Sequence, residues 1–178
     1  MTDTSLAAAL TTLTAFPQRI SHRLPIDEAT IDDLCAVLGG TLDPAYEEFL
    51  RNNGGQGFAE MVTYDLPPGC PWGDWGILTE LFGRFDDGRA DLLVELHASR
   101  SVLGPGWLPI GRDPGGNLLL LRAAPGTGVW FWDHEGRPTG GAVTADDLIV
   151  TTNGERLYRI ARTFTTFVTG LRAQSWGS

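Results

Sequence analysis

Three apolar, β-prone runs follow one another closely in this chain: Trp107–Gly111, Asn117–Arg122 and Gly128–Trp132. Only the turns Asp113-Pro114-Gly115-Gly116 and Ala124-Pro125-Gly126-Thr127 separate them. Parallel strands need a crossover of about a dozen residues or more, so these connections permit only an antiparallel meander. The runs are nearly continuous in hydrophobicity rather than alternating, which predicts that both faces of this part of the sheet are covered. The cover must come from the segments on either side.

Those segments read as helices. Residues 27–39 carry Ile31, Leu34, Cys35 and Leu38 at helical spacing, with Asp27 and Glu28 at the start and Gly39-Gly40 at the end. Residues 44–53 follow, with Asp43 as N-cap, Pro44 in the first turn, Tyr46, Phe49 and Leu50 as the buried stripe, and Asn53-Gly54-Gly55 as the stop. Residues 5–16 form a short helix limited by Pro17, and residues 88–97 a further one with Leu93, Leu96 and His97 on one side. Phe164, Phe167, Val168 and Leu171 predict a closing helix capped by Thr163, while periodicity leaves Leu157–Ile160 open between helix and strand. Strands are expected at 58–64 and 76–81, around a Pro/Gly loop at 66–73. Helices flanking an antiparallel sheet make an α+β domain, and 178 residues is the size of one domain.

Charge narrows the partners. Residues 27–95 hold 15 acids and three bases, a local net of −12, and the whole chain stands at −9 with arginine as its only strong base. This disfavours direct nucleic-acid binding, which needs cations against phosphate. Two readings of the acids remain: a surface kept soluble, or a surface that steers a basic protein partner. Met1–Pro17 lacks the basic start of a secretory signal, and no run approaches the ~20 apolar residues of a membrane span. Cys35 and Cys70 make neither a disulfide framework nor a metal-ligand spacing. A reduced, cytoplasmic setting is the expectation, with no membrane partner and no cofactor.

Catalytic patterns are missing: no G-x-S-x-G elbow, no Walker loop and no H-E-x-x-H. Asp133-His134-Glu135, with Asp113 and Asn117 in the preceding hairpin, is the best polar cluster. A divalent-metal or acid/base role would make the chain a small metal-dependent enzyme. The preferred reading is a polar turn, because adjacent residues at a strand end point to different sides. Among the six tryptophans, Trp130 and Trp132 share a strand parity and read as core. Trp72 and Trp75 flank Gly73-Asp74 in the Pro/Gly loop, where an aromatic anchor for a partner is expected, with Asp74, Asp86 and Asp87 as complementary acids.

The order of these pieces resembles the SUKH superfamily, which includes bacterial immunity proteins and fungal cell-wall-synthesis regulators. Four segments carry the resemblance: Leu42-Asp43-Pro44-Ala45-Tyr46-Glu47-Glu48-Phe49-Leu50 with Asn53-Gly54-Gly55; Ile110-Gly111-Arg112-Asp113-Pro114-Gly115-Gly116-Asn117; Val129–Glu135; and Ala161–Phe167. The proline of the first lies one place later than in the family pattern, and residues 138–157 read as an insertion. The resemblance implies a bent antiparallel sheet with the N-terminal helical pair and the C-terminal helix packed against it. It places a domain at 27–173, an extension with a short helix at 1–26 and a tail at 174–178, and it favours Leu157–Ala161 as a strand end. It brings no catalytic residues, so Gly54, Gly55, Asp113, Gly116, Asn117, Asp133, His134 and Glu135 are expected to be structural. It also implies a binding protein rather than an enzyme. The expected role is an immunity protein that neutralises a toxin domain with a basic surface, the alternative being a regulatory or scaffold module of the same fold.

Overall fold

The computed structural model describes residues 4–19, 23–85, 88, 90–136, 146–151 and 154–174. Helix α1 spans Thr4–Ala15, α2 Glu28–Leu38 and α3 Pro44–Asn53; strand β1 runs Gln56–Asp65 and β2 Trp75–Leu81. Helix α4 covers Leu92–Leu103. The meander follows as β3 Trp107–Arg112, β4 Leu118–Arg122 and β5 Val129–Asp133. The chain closes with β6 Leu148–Val150, β7 Arg156–Ala161, α5 Phe164–Thr169 and β8 Arg172–Gln174.

Capping residues set the helix boundaries. The Asp27 carboxylate accepts the Thr30 N–H at 2.9 Å and starts α2, and Gly39 ends it in the left-handed conformation at φ 71°. Asp43 starts α3 and does more. One carboxylate oxygen accepts the Ala45 N–H and the other accepts the Phe164 N–H, each at 2.9 Å. A single side chain therefore caps α3 and ties it to the start of α5, 121 residues away. Thr163 caps α5 as expected, through the Thr166 N–H.

Helix α4 corrects the sequence reading. It begins four residues later than residue 88, because Asp91 accepts the N–H groups of Leu93 and Val94 and so defines the first turn. The buried stripe is then Leu92, Leu96, Ser99 and Leu103, and Leu93 and His97 face solvent.

All strands join one open antiparallel sheet in the order β6-β7-β5-β4-β3-β2-β1-β8. Leu157–Ile160 are strand, in β7. Register shifts between Gly57 and Val62, Pro109 and Gly111, and Val129 and Trp130 interrupt the ladders, and such interruptions bend a sheet. Helix α5 carries the chain from β7 to the opposite edge, where β8 pairs with β1. In the meander, Leu108, Ile110, Leu119, Leu120, Leu121 and Val129 are fully buried, so both faces are covered as their continuous hydrophobicity demands.

The helical layer is an aromatic cluster. Phe164 packs edge-on to Tyr46 with ring centroids 5.0 Å apart and lies 5.6 Å from Phe49. Helix α1 joins this core through Ala9 and Leu13, with Phe16 just beyond its end. The buried Gln56 amide donates to the Leu13 carbonyl at 2.7 Å, and Pro17 and Arg19 exchange backbone hydrogen bonds with Ala59 and Gly57. Residues ahead of position 27 are thus packed into the same core.

The Asn53-Gly54-Gly55 stop is a crossing point of three chain segments. Gly54 has φ 65°, and a Cβ there would lie 2.2 Å from the Leu24 carbonyl oxygen. On its other side the Gly54 carbonyl accepts the Arg84 N–H at 2.6 Å. No side chain fits between these strands of backbone.

Candidate functional site

The loop between β1 and β2 and the turn between β3 and β4 face one another across a cleft of about 400 Å³. Trp72, Trp75 and Phe131 supply its aromatic walls, and Asp74 and Asp113 its carboxylates. Trp72 is half-buried and packs edge-on against Phe131, with centroids 6.4 Å apart. Trp75 opens β2 opposite Asp65 of β1 and is 54% exposed, the most exposed aromatic among the described residues. Gly76 lets the chain run flat against the Tyr64 phenol, because a Cβ there would fall 2.5 Å from its hydroxyl. The loop is held by the Leu66 N–H bonding the Asp74 carbonyl and by turns at Pro67–Cys70 and Cys70–Gly73.

The turn opposite is built by its own side chains. Asp113 accepts the Asn117 backbone N–H with one oxygen and the Asn117 side-chain amide with the other, both at 2.8 Å. That orientation aims the Asn117 amide oxygen at His134, whose Nδ1 lies 2.7 Å away and whose backbone N–H lies 3.4 Å away. The amide oxygen only accepts, so Nδ1 of His134 carries the proton. Asp133, fully buried, accepts the Glu135 N–H at 3.1 Å. The hydrogen bonds from Asp113 through Asn117 to His134 therefore tie the turn between β3 and β4 to the turn after β5, which Asp133 shapes locally. Gly116 takes a positive φ of 91° in the tighter turn, and Gly54 and Gly55 lie at the crossing described above.

Behind the cleft, Tyr64 and Tyr158 have buried hydroxyls, and Cys70 is buried near them. Burial pushes the Tyr64 phenol well up, with Asp113 and Cys70 adding to it. Burial likewise raises the Cys70 thiol, opposed by a backbone hydrogen bond from Trp72. Tyr158 is pushed up to about 12, again chiefly by burial. All three groups hold their protons at neutral pH, which makes them poor nucleophiles and poor bases.

The acidic stretch is more neutralised than its composition conveys. Glu80, buried, takes Arg112 at 2.5 Å and Arg19 at 3.2 Å. Glu28 and Glu47 share Arg51, Asp65 pairs with Arg172, and Asp91 faces Arg84. Asp32, Asp33, Glu60 and Asp74 are the acids of this stretch that form no ion pair or side-chain hydrogen bond among the described residues. Asp74 alone of these four lies in the cleft.

The sequence-based candidates thus divide. Trp72, Asp74 and Trp75 come together, and Asp113 joins them from the turn. Asn117, Asp133 and His134 form the scaffold behind that turn, and Glu135 is exposed beside it. Asp86 and Asp87 lie outside the described residues. Phe131 was not foreseen as a lining residue; its place in a continuously apolar strand marks it as core and gives no hint of the loop that folds over it. Among the described residues, no group of three or more His, Cys, Asp or Glu side chains is placed to hold a metal ion, and no helix is long and apolar enough to cross a membrane.

Neither the curated proteins nor the solved structures include a significant match to this chain. Residues 25–170, which is 146 of the 178 positions, match the model of the SMI1 / KNR4 family (SUKH-1), and the match contains every element from α2 to α5. With its α+β architecture, its Asn-Gly-Gly crossing and its locked Asp113–Asn117 turn, the chain belongs to the SMI1 / KNR4 family (SUKH-1).

Proposed function

We propose that this protein is an immunity-type binding module that neutralises a toxic protein by stoichiometric association and performs no catalysis. The observation that carries the reading is the exposed Trp75 beside the Asp74 carboxylate, which has no ion pair among the described residues, at the mouth of a cleft on the sheet. Large aromatic side chains dominate binding hot spots, and an uncompensated acid at the rim selects a basic partner. Cytoplasmic toxins that act on nucleic acids need basic surfaces to hold their substrates, which is the complement of this face. The absence of catalytic sequence motifs and the raised proton affinity of Tyr64, Tyr158 and Cys70 argue against a reaction at this site. In the Asp133-His134-Glu135 turn the Asp133 and His134 side chains hydrogen-bond within the scaffold, which speaks against the metal-enzyme alternative.

The test is rescue of growth. The protein encoded beside this gene is expressed in a bacterium with and without this chain. Toxicity relieved by this chain is the expected result. A harmless neighbour, or toxicity without relief, would move the reading to a regulatory or scaffold module with a cellular partner.

A further inference from the structure

We propose that the cleft between the Trp72–Trp75 loop and the Asp113–Asn117 turn takes one arginine side chain presented by the protein partner; this rests on the reading of the chain as a protein-binding module. Charge complementarity argues for it first. Among the described residues, the only ionisable side chains lining the cleft are Asp74 and Asp113, and no base lines it. Asp74 has no ion pair or hydrogen bond on its carboxylate among the described residues. Each Asp113 oxygen accepts one hydrogen bond from Asn117 and keeps a lone pair for another donor. The turn that holds Asp113 is fixed from behind by His134, so this carboxylate is placed before a partner arrives.

The aromatic walls argue for it second. Elsewhere the chain places its own arginines on its aromatic rings: Arg122 lies 4.5 Å from the Trp107 centroid, Arg159 5.6 Å from Trp130 and Arg112 5.2 Å from Phe82. Trp75 is more exposed than any of these rings, yet no cation stacks on it among the described residues. A guanidinium seated on Trp75 supplies that cation and directs its planar N–H fork at the two carboxylates. An ammonium offers a point charge and no flat face, so arginine is preferred over lysine.

The experiment is an NMR titration of the ¹⁵N-labelled full chain, observing the indole N–H signals of Trp72 and Trp75. The probe is acetyl-Gly-Arg-Gly-amide, taken to about 20 mM because a single side chain binds in the millimolar range. The citrulline and lysine peptides serve as isosteric and charge-matched controls. The expected result is saturable movement of both indole signals with arginine, none with citrulline, and about fivefold or weaker binding with lysine. Asp74→Asn, an exposed substitution, is expected to weaken the arginine peptide about fivefold with an unchanged melting temperature. Equal response to citrulline, equal or tighter binding of lysine, no movement of either indole, or indifference to Asp74→Asn would each overturn the proposal. The two readings separate in the rescue assay. A partner neutralised equally by wild type, Asp74→Asn and Trp75→Ala removes the arginine cleft and leaves the immunity function. An arginine-binding cleft in a chain that rescues nothing removes the immunity function and leaves the cleft.

Discussion

At the scale of single residues, two positions concentrate the fold's demands. Asp43 caps α3 and α5 together, so Asp43→Ala removes two charge-assisted hydrogen bonds at once. The expected cost is about 2–3 kcal/mol, read as a lower urea midpoint with an unchanged slope. Gly54 and Gly39 make a controlled pair. Both hold positive φ, but a Cβ at Gly39 meets nothing within 4 Å, whereas at Gly54 it overlaps the Leu24 carbonyl. Gly39→Ala is therefore expected to cost about 1 kcal/mol and Gly54→Ala at least about 3, again by urea denaturation. The sequence made both glycines legible as helix stops and Asp43 legible as a cap. It did not reveal that Asp43 has a second client, because Phe164 is distant in the chain and its N–H announces nothing by residue type. Asn117 illustrates the same limit. Its place in a turn was plain, whereas its orientation toward His134 depends on a pairing between β4 and β5 that brings the two side chains together.

At the scale of elements, local signals worked where elements are local. The meander was legible because its turns are short and its strands apolar, and α2 and α3 because their caps and stripes agree. Helix α4 was displaced because its start depends on Asp91, which competes with several polar residues before it. Asp91→Ala is expected to destabilise the protein by about 1 kcal/mol and to increase amide exchange in the first turn of α4. Strands β6 and β8 are three residues each and exist through pairing with β7 and β1, so no window of sequence could show them. The start of α2 has a pH signature. Hydrogen bonds from Thr30, side chain and then backbone, hold the Asp27 carboxyl below its ordinary value. A folded pKa below the unfolded one means that this contribution is complete above about pH 4 and is lost as pH falls through the folded value. Asp27→Asn keeps a capping oxygen but does not titrate. Its stability is expected to fall less steeply than wild type between about pH 4 and pH 2, measured by denaturation at each pH.

At the scale of the whole molecule, the sequence showed an acidic stretch and the fold shows how much of it is already answered. Arg19, Arg112 and Arg172, all from outside residues 27–95, pair with Glu80, Glu95 and Asp65 inside it. The local net of −12 therefore overstates the field a partner meets, and of the four acids of the stretch left without an ion pair or side-chain hydrogen bond among the described residues only Asp74 lines the cleft, where Asp113 joins it. Two of the site's aromatics were legible from their Pro/Gly loop. The facing turn was legible as a turn but not as a wall of the site, because the approach of loop and turn is created by the pairing of β2 with β3 across α4. Stoichiometric neutralisation through this face is decided by titrating the neighbouring protein's toxic activity with purified chain. The expected result is a linear loss of activity that reaches completion at one equivalent and a marked loss of potency in Trp75→Ala. Activity that persists at excess chain, or that disappears with a small fraction of an equivalent as a catalyst would make it, would rule out stoichiometric neutralisation.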